Sequence, residues 1–231
     1  MLIIFSFLFL IGVFFSQHDV IESLEKNLSF HMIVEHSIFF MVGVSLVLIN
    51  ESILKILNSS LPLLKNENQN QVKSNKFPYF VIEVLLKKWK SLLKVIFSLN
   101  KYPIIWIFIV IDIMIFWHIP VLFDLAVLNN FTHSLQHISF IVVGASIYMA
   151  IRNFGESFNL ILLVSLIGMM GLSGMLFSVV EYNIYLVYDI QNHHEAGFYM
   201  VITSIVILIL VLPIYLIKKT LFHIKFSNQK I

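Results

Sequence analysis

The chain has 231 residues, 59% of them hydrophobic and 12% charged, with a formal net charge of +2 and no cysteine. A soluble domain carries about 25% charged residues, so the composition excludes one. The missing cysteine excludes disulfides, thiolate metal sites and thiol nucleophiles, and the small net charge argues against a nucleic-acid partner.

In chain order, residues 1–17 read as an N-terminal span or uncleaved signal anchor, built on the apolar run 2–16. Residues 17–27 are polar and acidic, through Asp19, Glu22 and Glu25. The next apolar segment is expected at about 29–57, followed by a loop at 58–78 rich in Asn, Gln, Lys and Ser. Over 79–99, Glu83, Lys87, Lys90, Lys94 and Ser98 recur every three or four residues beside Trp89. One polar stripe on an apolar helix predicts an amphipathic helix in the membrane interface, drawn to anionic lipid headgroups. Loop and helix together make 58–102 a cytoplasmic insertion.

A span at 103–119 is stopped by His118-Ile119-Pro120, where Pro120 is expected to turn His118 out of helical geometry and bend the chain. Residues 121–130 read as a short connector. Further spans are predicted at about 131–151, 157–180 and 197–217, ahead of a basic tail at 218–231. The fold expected is an all-α polytopic membrane helix bundle over 28–217, with about six transmembrane spans.

Orientation follows from Lys and Arg. Lys65, Lys73, Lys76, Lys101, Arg152, Lys218, Lys219 and the tail lysines fall on one side of that arrangement, and only Lys26 is opposite. This predicts a plasma-membrane protein with a cytoplasmic C-terminus. Eight of the nine histidines then lie outside or in the outer half: His18, His31, His36, His118, His133, His137, His193 and His194.

The sharpest feature is Thr-His-Ser-Leu-Gln-His, which places His133 and His137 one helical turn apart on one face. Two such imidazoles can hold one metal, or can be polar residues in the first turn of a span. His31 and His36 are five apart and do not share a face of a regular helix; His31 pairs with Glu35 instead. His36 is the better candidate, seven residues before Gly43 as His137 is before Gly144. Asp112, deepest in a span, is either a proton relay or a protonated carboxyl bonded to a neighbouring helix. Gly168, Gly171 and Gly174 recur every three residues, which suits close helix packing or room for a flat cofactor.

Residues 116–144, FWHIPVLFDLAVLNNFTHSLQHISFIVVG, resemble the signature of the CtaG-like cytochrome c oxidase assembly factors, in particular the short, archaeal-type relatives. The signature falls on Trp117, His118, Pro120, Asp124, His133, His137 and Gly144. A looser likeness covers YDIQNHHEAGFYM, where Ile190 separates Asp189 from Gln191 and Ala196 replaces a glycine. The front segment HMIVEHSIFFMVG resembles the first histidine span of the group. The resemblance implies a polytopic membrane protein that helps insert copper into a haem-copper oxidase.

On that basis the expected metal ligands are His36, His133 and His137, then His118 and His194, with Met32 and Met200 as softer donors. Asp124, Asp189 and Glu35 are expected to orient the imidazoles. The ion expected is copper, with zinc as an alternative. A second reading is a b-type cytochrome with His-ligated haem b. A third is an accessory subunit of a respiratory or other copper membrane complex. The sequence carries no His-Glu-x-x-His and no serine-nucleophile motif, so an enzyme is not expected. The partners expected are membrane lipid and subunits of a haem-copper oxidase or another membrane complex, with no nucleic acid.

Overall fold

The structure, a computed structural model, describes residues 26–67, 87–88 and 98–227. Segment 1–17 and most of the amphipathic stripe at 79–99 lie outside the described residues. All regular elements among the described residues are helical. A π-helical turn, Phe30–Glu35, leads into α1 (His36–Glu67). Then come α2 (Ile104–His118), α3 (Pro120–Leu128), α4 (Asn130–Asn153), α5 (Glu156–Val179) and α6 (Ile190–Ser227). Four described helices are long and apolar enough to cross a membrane, or five if the bent pair α2–α3 counts as one span. The expectation was about six, including segment 1–17.

The helix ends are written locally. Asn27 accepts the backbone N–H of Ser29 at 2.8 Å, which caps the first turn. Asn129 does the same for α4, accepting the Thr132 N–H at 3.0 Å. Asp189 caps α6 through the Asn192 N–H at 2.8 Å. Three boundaries differ from the expectation. Helix α1 continues to Glu67, past the end expected at residue 57 and through Asn58, Ser59, Ser60 and Pro62, whose polar and helix-breaking types read as a loop. Residues 120–128 are helical rather than a plain connector, since Pro120 at the first helical position is pre-set for a new helix. Helix α6 starts at Ile190, seven residues before the apolar run, on the strength of the Asp189 cap, and it continues through much of the basic tail.

The bend falls where expected, at 74° between α2 and α3. Its carrier is Ile119, which is extended, while His118 stays as the last residue of α2. The physical reason is that proline restricts the residue immediately before it.

The chain divides into two compact units. One lies within Phe39–Met114 and Ile138–Asn153. In it, Gly43 and Gly144 let α1 and α4 touch backbone to backbone: a Cβ on Gly43 would meet the Ile141 carbonyl, and one on Gly144 the Phe40 backbone. Phe40 and Phe140 meet edge to face at 5.4 Å. Glu51 and Arg152 form an ion pair, and Tyr148 donates to Glu51 at 3.4 Å. Asp112 is exposed on α2, so the reading that bonds it to a neighbouring helix finds no support among the described residues.

The other unit lies within Phe15–Ile38, Ile115–His137 and Phe154–Ile231. Its apolar core joins Leu28, Met32, Phe123, Phe177, Tyr185, Tyr188, Ala196 and Met200. Here α5 and α6 cross at Gly174 and Gly197, where a Cβ on Gly197 would lie 2.5 Å from the Gly174 carbonyl. Gly168 has open space around it, so the three-residue glycine repeat is a packing device at Gly171 and Gly174 alone.

Candidate metal centre

The second unit gathers a polar cluster inside an otherwise apolar protein. Glu35 ends the π-turn, and His133 and His137 occupy the first turns of α4. Glu35 Oε1 lies 3.0 Å from His133 Nε2 and is in direct contact with His137 Nε2. One donor atom from each of the three residues lies within 4.8 Å of the others, and all three side chains are buried. The His133 and His137 rings sit 4.0 Å apart, edge to face, as one-turn spacing on a helix requires.

His31 adds a fourth side. It is fully buried, and its Nδ1 lies 3.0 Å from Glu35 Oε2. Its ring stands 5.8 Å from that of His133 and 4.9 Å from Phe123. The pairing of His31 with Glu35 is the one that spacing predicts. The separation of His31 from His36 is not. The His36 N–H bonds the His31 carbonyl, an i to i+5 link, and their rings meet at 5.0 Å. A π-helical turn brings residues five apart to one side, whereas an α-helix separates them by about 140°. His118, at the end of α2, stands 6.4 Å from His36.

Two expected roles change places. Glu35, expected only to orient an imidazole, is the common partner of His31, His133 and His137. His31, set aside on spacing, is a fully buried imidazole against that carboxylate. The i, i+4 pair was visible in the sequence, but the π-turn carries no sequence signal of its own.

The remaining candidates sit elsewhere. His194 Nε2 donates to the Val180 carbonyl at 2.9 Å. His193 Nδ1 donates to the Asp189 carbonyl at 2.7 Å, and its Nε2 accepts the Tyr185 N–H at 3.0 Å. Asp124 accepts the Leu186 N–H at 3.0 Å and the Val187 N–H at 3.5 Å. These side chains, with Asp189, fasten the 180–189 connector. Asp189 lies below the usual carboxylate range because Asn192 bonds it through its backbone N–H and its side chain. Tyr185, stacked 3.9 Å from Phe123, has its hydroxyl pushed up by burial. Met32 and Met200 are packed in the apolar core.

Chemically, the cluster calls for positive charge. A buried carboxylate is costly without a cation beside it. A proton shared with an imidazole can supply that charge, and so can a metal ion. Carboxylate and imidazole on converging helices are a common donor set for borderline divalent ions.

Residues 68–219 match the model of a family described as proteins of unknown function, DUF1404, and the chain belongs to that family. No curated protein and no solved structure matches it. The matched region contains His118, His133 and His137 and begins after the π-turn that carries His31 and Glu35.

Proposed function

For this member of the DUF1404 family we propose a membrane metal-handling role, with the ion held by Glu35, His133 and His137. One observation carries the reading: three donors from two helices converge within 4.8 Å in a buried position. His31 orients the carboxylate from its other oxygen. One carboxylate and two imidazoles suit zinc or cupric copper better than cuprous copper, for which thioether ligands are preferred.

The resemblance of residues 116–144 to CtaG-like assembly factors supports copper as the first ion to test. It also supports delivery to a haem-copper oxidase, or accessory service in a related membrane complex, as the task. The distribution of lysine supports a plasma-membrane location with the C-terminus in the cytoplasm and the histidines outside. The haem reading is weaker, because axial histidines face each other across a flat ring and these imidazoles converge on one carboxylate.

The test is elemental analysis of the full chain purified in detergent, stripped with chelator and reloaded with copper(II) or zinc. We expect at least one ion per chain, and a loss of at least one ion in His133→Ala/His137→Ala. Unchanged stoichiometry in that double variant discards the assignment. A strong Soret band from haem-replete cells would favour the cytochrome reading.

A further inference from the structure

We infer that Glu35 bridges two metal ions. This rests on the metal-binding reading above and extends it to a second position, formed by Glu35, His31, His36 and His118.

The carboxylate divides its oxygens. Oε1 faces Nε2 of His133 and of His137, and Oε2 faces Nδ1 of His31 at 3.0 Å. The second contact is close but lacks the alignment of a hydrogen bond. Glu35 Oε2, His31 Nδ1 and His31 Nε2 are all buried without a hydrogen-bond partner. Unbonded polar atoms in an apolar interior are expensive, and a cation between Oε2 and Nδ1 answers two of the three. A carboxylate with one oxygen turned to each imidazole group can hold one ion per oxygen. Two-metal sites place their ions about 3.5–4 Å apart, within reach of a bridging carboxylate.

The other imidazoles stand beside the second position. His31 and His36 meet edge to face at 5.0 Å, and His36 and His118 at 6.4 Å. Metal–nitrogen bonds are about 2 Å, so rings at these separations lie near enough to close onto one ion. The π-turn makes this possible, since only its i to i+5 link puts His31 and His36 on one side. Turns of this kind recur at functional sites. His118 is held at the α2–α3 break, where the chain turns by 74°.

The experiment loads the full-length, chelator-stripped protein in detergent with copper(II), and in parallel with zinc. Bound metal is counted and the cupric protein is read by electron paramagnetic resonance. We expect two ions per chain and a coupled cupric pair, seen as loss of the ordinary signal and a half-field transition. His36→Ala/His118→Ala should bind one ion and regain the full uncoupled signal. Two ions in that variant overturn the second position. A single uncoupled ion in the unaltered chain, lost in His133→Ala/His137→Ala, overturns the bridge and keeps the metal-binding reading. No ion in the unaltered chain overturns both.

Discussion

Two polar groupings in the same unit show what separates a site from a scaffold. Around Glu35, side chains meet side chains. Around the 180–189 connector, side chains meet backbone: Asp124 holds the Leu186 and Val187 N–H groups, His193 holds Tyr185 and Asp189, and His194 holds Val180. Both ring nitrogens of His193 are engaged, which leaves no lone pair for an ion. His31, equally buried, has no hydrogen bond at either nitrogen. Both groupings pair a carboxylate with imidazoles, and His31 and His193 are both fully buried. The partner chemistry differs, and it decides which histidines can serve a ligand.

That contrast can be broken at several points, from large effect to small. Glu35→Ala should be the most damaging, removing metal binding and leaving buried imidazoles without their carboxylate. Breaking a buried pair from one side costs about 3–5 kcal/mol, checked by thermal unfolding in detergent. His193→Ala should cost about 2–4 kcal/mol, from the unbonded Tyr185 N–H and the cavity beside Phe177, yet leave bound metal unchanged. Metal loss there would erase the distinction between the two groupings. Asp124→Ala should cost about 1–3 kcal/mol by freeing the connector, and proteolysis between residues 180 and 189 should rise with no fall in metal content.

His194→Ala should cost about 1 kcal/mol or less, and its metal stoichiometry should match that of the unaltered chain. Asp189 adds a pH dependence. Its folded-state carboxyl lies below the unfolded value, so its contribution is full above the unfolded pKa and is lost as pH falls through the lowered one. Asp189→Asn should flatten that acid limb of the unfolding curve, and an unchanged limb would remove Asp189 from the account.

Much was legible in the amino-acid order. Apolar runs marked helices α2, α4 and α5 to within a few residues, and the central parts of α1 and α6, because a span must be long, apolar and hydrogen-bonded within itself. The one-turn spacing of His133 and His137 and the His31–Glu35 pair also follow from local periodicity. The bend before α3 came from Pro120, although its carrier is Ile119. The helical character of 120–128 and the early start of α6 were missed. Both depend on caps and on packing against the Phe123–Tyr185 core, which an apolar-run reading does not weigh.

What the tertiary structure alone decided is which of the described histidines meet. Local sequence sets the helix face on which a side chain lies, but not the partner across from it. Glu35 and His137 are 102 residues apart, and only folding makes them neighbours. The π-turn is decided at the same level. It gives up regular α-helical bonding over Phe30–Glu35, and the packing of Leu28 and Met32 into the apolar core holds that turn in place.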